Sequence, residues 1–100
     1  MNVELLIMNA VEDALNRANP TMLNLVKYYL SNTANADFRL AYRNPKEFKK
    51  LLSRIFGEYS TRLLEMIIIK NVSESIGVGA NSNTLEELID ELHKIAGRGE

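Results

Sequence analysis

His93 is the only histidine of the 100-residue sequence, which contains no cysteine. An exposed histidine on a helix can accept a phosphoryl group in signalling proteins. A histidine in the charged last turn of a helix is more typical of a surface residue, whose imidazolium also suits the helix dipole. Nucleophilic catalysis needs a base beside the nucleophile, and no local motif ties a serine, threonine or lysine to His93. We therefore expect no catalytic residue and no enzyme activity.

A metal site in this chain would have to be built from carboxylates, because thiolates are absent and histidine occurs once. The acids near the C-terminus have the spacing of a solvated helix face, and they are Glu86, Glu87, Asp90 and Glu91. Gly77 and Gly79 do not form a phosphate loop, because the lysine and the preceding strand of such a loop are missing. The sequence thus predicts no metal and no cofactor.

Positive charge is concentrated between residues 39 and 54, where Glu47 is the single acid. On a helix most of these side chains would share the face opposite the apolar residues. Such a face can contact phosphates or an acidic partner, and the candidate residues are Arg43, Lys46, Lys49, Lys50 and Arg54. The whole chain has a formal net charge of −1, so nucleic-acid binding is the alternative hypothesis and not the leading one.

The elements that must position these residues are helices. Apolar residues recur at three- and four-residue spacing, Asn19-Pro20 and Asn44-Pro45 are typical helix starts, and Thr84 with Glu87 forms a capping box. A composition of 46% hydrophobic and 25% charged residues is that of one globular domain, 1–100. We predict an all-α, compact bundle of about five helices, at 2–18, 20–31, 45–56, 58–76 and 85–96.

The segments between these helices are expected to be irregular. Residues 32–43 are predicted to form a loop with a short turn, anchored by Phe38, Leu40 and Tyr42. Residues 77–83 are predicted to form a flexible connection and 97–100 a frayed tail. Gly57 suits the left-handed end of a helix and should separate the third helix from the fourth. One continuous helix through Gly57 is the alternative.

The fourth predicted helix is apolar around most of its circumference near its middle. Such a helix must be buried centrally or covered by a second subunit. We expect a homodimer with the fourth or the first helix at the interface, and the alternative is a monomer in which the fourth helix is central. The candidate self-association residues are Leu63, Met66, Ile67, Ile68 and Val72.

A membrane-spanning segment is not expected, because the longest apolar cluster, 63–69, contains Glu65 and is far shorter than about 20 residues. The N-terminus lacks the basic region of a signal peptide. These features predict a cytoplasmic protein that does not bind membranes.

Several short sequence features follow one another in the order of a known family. They are Leu25-Val-Lys-Tyr-Tyr-Leu30, Asn44-Pro45 with Glu47-Phe48, Leu52 through Ile55-Phe56-Gly57, Leu64-Glu65, Ile67-Ile68 and Ile76-Gly77. From about Val11 to Val78 the chain resembles the Nitrosopumilus output domain family, the fifth of that name, which consists of small archaeal helical domains. Members occur alone or attached to regulatory and signalling domains, and no catalytic residues come with them. The resemblance implies a non-catalytic helical protein-interaction module, an output or adaptor unit in archaeal regulation, with an unknown protein partner.

Overall fold

The structure, a computed structural model, describes residues 1–79 and 81–98, the last of these by its backbone alone. Five helices occur in order along this part of the chain. They are α1 (Val3–Ala18), α2 (Pro20–Ala34), α3 (Leu40–Arg43), α4 (Pro45–Ile76) and α5 (Leu85–Arg98). The described residues include no strand, and the predicted all-α fold is confirmed.

Asparagine side chains begin three of the helices. The Oδ1 atom of Asn2 accepts a hydrogen bond from the Leu5 amide at 3.0 Å, that of Asn19 from the Thr21 amide at 2.9 Å, and that of Asn44 from the Glu47 amide at 3.2 Å. Each bond satisfies one of the amides that have no partner within the first turn. Proline follows Asn19 and Asn44 at the first helical position, where its missing amide costs nothing.

The region between α2 and α4 is more ordered than the sequence analysis predicts. Helix α2 continues to Ala34, three residues beyond the predicted end, and stops where Asn35 takes up the left-handed conformation with φ 50°. The Asp37 carboxylate then accepts a hydrogen bond from the Arg39 amide, and the four-residue helix α3 follows. Phe38 and Ala41 enter the core, which explains why this polar segment is fixed in place.

Gly57 divides α4 into two helical halves. Its backbone, with φ 84° and ψ 165°, lies in a region that is open almost only to glycine. The buried Thr61 hydroxyl donates a hydrogen bond to the Gly57 carbonyl at 2.8 Å and so supports the bend. The predicted separation at Gly57 is therefore present. It is a kink at one residue, and the two helical halves follow each other with no loop between them.

Helix α1 lies at the centre of the bundle and contacts all four other helices. Helix α2 packs mainly on α1, whereas α4 and α5 close the other side. The fully buried side chains form one cluster, and its largest members are Phe48, Ile7, Leu15, Leu30, Leu52, Ile68, Leu85, Leu88 and Leu92.

Helix α5 continues through Gly97 to Arg98, two residues beyond its predicted end. Gly99 and Glu100 of the predicted frayed tail, and Ala80 of the predicted flexible connection, lie outside the described residues. In the part of the chain that is described, no helix is long and apolar enough to cross a membrane.

Candidate functional site

An uncovered apolar row runs along the second half of α4. Tyr59, Leu63, Met66 and Ile67, called here the α4 stripe, follow each other at helical spacing and are between 44% and 76% exposed. Single exposed apolar side chains are common on protein surfaces, but several large ones side by side on one helix face are unusual. The α4 stripe is therefore the most conspicuous candidate surface of the described chain.

Two of the predicted self-association residues do not belong to this surface. Ile68 and Val72 are each 1% exposed and form part of the core. They lie on the side of α4 that faces the bundle, so their assignment to an interface is wrong. Tyr59 was not among the predicted residues, although it lies one turn before Leu63 and is the most exposed member of the stripe.

A buried carboxylate lies on α4 next to the stripe. The Glu65 side chain is 4% exposed. Its Oε2 atom accepts hydrogen bonds from the Lys49 Nζ atom and from the Leu85 amide, both at 2.8 Å, and its Oε1 atom accepts one from Arg62 at 2.9 Å. We call Glu65, Lys49, Arg62 and Glu86 the Glu65 cluster. Three donors surround one carboxylate, which is the condition under which a buried charge is tolerated.

The Glu65 cluster joins both halves of α4 to the beginning of α5. Lys49, in the first half, contacts Glu86 on α5 at 2.7 Å as well as Glu65. Arg62 also donates a hydrogen bond to the Asn83 carbonyl, just before α5. Because Leu85 is the first residue of α5, Glu65 satisfies a free amide at the positive end of that helix.

The acid–base equilibria of the Glu65 cluster favour its charged forms. Burial would raise the pKa of Glu65, but the hydrogen bonds from Lys49, the Leu85 amide and Arg62 outweigh it and lower this pKa. Burial would lower the pKa of Lys49, but its bonds to Glu65 and Glu86 raise this pKa. Both side chains are therefore charged at neutral pH, and they form an ion pair with each other.

The five predicted basic residues fall into two groups. Lys49 belongs to the Glu65 cluster, and Arg43 makes an ion pair with Glu4 on α1 at 2.9 Å, which raises the pKa of Arg43 through that hydrogen bond. Lys49 is therefore engaged inside the fold, and Arg43 is engaged in a largely exposed ion pair that links α3 to α1. The remaining three, Lys46, Lys50 and Arg54, are exposed at four-residue intervals, and no ion pair is seen for them within the described residues. We call them the basic row.

His93 lies exposed on α5, as expected. Its Nε2 atom is 2.8 Å from the Tyr42 hydroxyl, and the two rings are tilted by 50° with centroids 5.6 Å apart. The contact ties α5 to α3. Among the described residues, no three histidine, aspartate or glutamate side chains form a group that could hold a metal ion, and the absence of a cofactor stays a prediction.

The model of the family described as Nitrosopumilus output domain 5 matches residues 1–94 of the chain. The chain belongs to this family. The match includes most of α5, so this output domain is longer than the stretch from Val11 to Val78 that carries the resemblance in the sequence.

One solved structure has the same arrangement of helices as this output domain. It is the crystal structure of PH0832 from the archaeon Pyrococcus horikoshii OT3, which is similar with a TM-score of 0.91 at 36% sequence identity. The alignment covers 97% of this chain and 99% of that one. No curated protein matches the chain.

Proposed function

We propose that this output domain is a non-catalytic helical interaction module that forms a homodimer through the α4 stripe. In the cytoplasm of an archaeon it would act as an output or adaptor unit in regulation or signalling. The exposure of the α4 stripe carries this proposal, and the family to which the chain belongs supports the regulatory role.

The size of the stripe suits a moderate, reversible association. Its four side chains expose on the order of 400 Å² in total, which is within the range of surface patches that are often functional. A stable interface buries about 800 Å² on each partner, with an apolar centre and a polar rim. Glu58, Arg62 and Lys70 are exposed beside the stripe and would supply part of such a rim. We expect a dissociation constant in the micromolar range.

The non-catalytic part of the proposal rests on the state of the reactive groups. Glu65 is the buried carboxylate among the described acids, and three donors already occupy it. His93 contacts a tyrosine hydroxyl on the surface. Among the described residues, no third side chain is hydrogen-bonded to Tyr42 or His93, whereas an activated nucleophile needs a base that a third group orients, and this supports a role in binding.

Sedimentation velocity over a range from about 1 to several hundred micromolar tests the self-association. The decisive variant is Leu63→Glu, and the matched control is Leu25→Glu on α2, because the two leucines are 44% and 46% exposed. We expect the wild type and Leu25→Glu to dimerise and Leu63→Glu to remain monomeric at all concentrations. A monomeric wild type, or a dimer that survives Leu63→Glu, would contradict the proposal.

The basic row favours a second candidate function, which is binding to nucleic acid. Lys46 and Arg54 lie eight residues apart on one helix, about 12 Å along its axis, with Lys50 between them. Three exposed cations in line can contact successive phosphates, and such binding weakens steeply with salt. Lys49 and Arg43 are not part of this surface, because they pair with acids in the fold.

A salt titration with random duplex DNA tests this second candidate. We expect Lys50→Gln combined with Arg54→Gln to lose any salt-dependent binding. The control combines Lys27→Gln with Lys94→Gln, which removes the same charge on α2 and α5 and should bind as the wild type does. Absence of binding at low salt, or equal losses in both double variants, would exclude the basic row as a nucleic-acid interface.

A further inference from the structure

We infer that the α4 stripe is covered by a second copy of the chain whose α4 runs antiparallel, with Leu63 against the partner's Met66. This inference rests on the self-association proposed above and adds its direction and register. The spacing of the residues on the exposed face of α4 and the charges at the two ends of that face support this direction and register.

The spacing of the residues on the exposed face of α4 is the same in both directions along the helix. Tyr59, Leu63, Met66 and Lys70 are all exposed and are separated by steps of four, three and four residues. At 100° per residue these four side chains lie within one narrow strip of the helix surface. A two-fold axis between residues 64 and 65 therefore places Leu63 opposite the partner's Met66 and Tyr59 opposite the partner's Lys70. A two-fold axis is the commonest symmetry of homodimers.

The charges beside the stripe favour this direction over the parallel one. Glu58 and Tyr59 lie at one end, and Lys70 lies at the other, where Glu74 of the same helix is 3.9 Å from it in an exposed and therefore weak ion pair. In a parallel pair each Lys70 would face the partner's Lys70 and each Glu58 the partner's Glu58, which is unfavourable. In the antiparallel pair each Lys70 instead meets the partner's Tyr59 ring, and the partner's Glu58 is next to it. An ammonium group over an aromatic face is attractive, and two such contacts form in each dimer.

The remaining exposed residues of this region complete the interface on both sides of the strip. Ile67 lies on one flank and extends the apolar contact. Arg62 lies on the other flank, where Glu65 and the Asn83 carbonyl already hold it, so it is fixed before association and loses little freedom in it. The apolar centre with charged ends matches the organisation of protein interfaces.

Pulsed electron paramagnetic resonance measures the direction of the two helices. Because the chain has no cysteine, single variants Ser75→Cys and Ser60→Cys each carry one spin label, and both serines are exposed. In an antiparallel pair the distance between equivalent residues grows by about 3 Å for each residue away from the axis. We expect about 30 Å or more between the two labels at residue 75 and at least about 10 Å less at residue 60.

A parallel pair would give nearly equal distances at both positions, with each under about 20 Å. That result in a dimer that Leu63→Glu abolishes would overturn the antiparallel arrangement and leave the self-association intact. A monomeric wild type, by contrast, would overturn both. The two proposals can therefore fail separately.

An exchange of charges tests the register. We expect Lys70→Glu to weaken the dimer roughly threefold to tenfold, because it sets two acids side by side at each end. Glu58→Lys added to Lys70→Glu should restore most of the lost affinity. Circular dichroism of both variants checks that they are folded, and failure of the second substitution to restore binding in a folded protein would overturn the register.

Discussion

Replacing Glu65 with glutamine should destabilise the bundle strongly, although the two side chains have the same shape. All three partners of Glu65 are donors, namely Lys49, Arg62 and the Leu85 amide. Glutamine keeps one acceptor oxygen, but an NH₂ group, which is a donor, replaces the other oxygen. At least one partner therefore loses its hydrogen bond, and Lys49 loses a counter-charge. Removing one member of a buried ion pair costs about 3–5 kcal/mol.

The cost should be at the lower end of that range or below it. Lys49 keeps its contact with Glu86 at 2.7 Å, and the Arg62 side chain is 46% exposed, so water can replace part of what is lost. We expect a decrease in the free energy of unfolding of about 2–3 kcal/mol. For a domain of this size that corresponds to a fall in Tm of roughly 10–20 °C.

Urea unfolding followed by circular dichroism measures this decrease. The control is Glu74→Gln, the same substitution on the same helix, where the carboxylate is 65% exposed and 3.9 Å from Lys70. The control should change the free energy of unfolding by less than about 0.5 kcal/mol. Amide exchange at the start of α5 should accelerate in Glu65→Gln alone. Equal stability of the two variants would refute the structural role of Glu65.

The stability lost in Glu65→Gln should depend on pH. The folded pKa of Glu65 lies below its ordinary value of 4.5, so its contribution is fully present above that pH and is lost as the pH falls through the folded pKa. The folded pKa of Lys49 lies above its ordinary value of 10.5, so its contribution is lost only as the pH rises through the folded pKa. The stability difference between the wild type and Glu65→Gln should therefore be constant near neutrality and shrink in acid.

Two further predictions follow from the backbone and from the basic residues. Gly57→Ala should lower the free energy of unfolding by about 1–3 kcal/mol, because a φ of 84° strains any residue that has a side chain. The control is Gly97→Ala in the helical α5, where the added Cβ atom has no neighbour within 4 Å. In the same urea experiment this control should be neutral or stabilising. Lys49→Met should destabilise by about 2 kcal/mol and Lys50→Met by less than about 0.5 kcal/mol, and equal thermal unfolding of these two variants would contradict the division of the basic residues.

Local sequence signals predict much of the fold. The three asparagine caps, two of them followed by proline, act through bonds within one turn of the same residue, so they can be recognised without knowledge of the packing. Gly57 is visible for the same reason, because only its own backbone conformation matters. Phe38 is predicted as an anchor of its segment and is buried, whereas helix α3 and the burial of Ala41 depend on a core that the sequence of the segment does not show.

The candidate site is less accessible from sequence, because it depends on which face of each helix is covered. The middle of α4 is apolar on all sides, and spacing alone does not distinguish the buried Ile68 and Val72 from the exposed Met66 and Ile67. The partners of Lys49 lie 16 and 37 residues further along the chain. A glutamate in the middle of an apolar run is the one local signal for the Glu65 cluster, and this signal does not indicate which donors surround the carboxylate.

The bend at Gly57 also determines the dimensions of the molecule. A straight helix of the 32 residues of α4 would be about 48 Å long, whereas the longest dimension of the protein is 38 Å. One glycine thus lets the longest helix fit within a shorter body. It also turns the axis that carries the basic row away from the axis that carries the apolar stripe, so a ligand bound to one half need not obstruct a protein bound to the other.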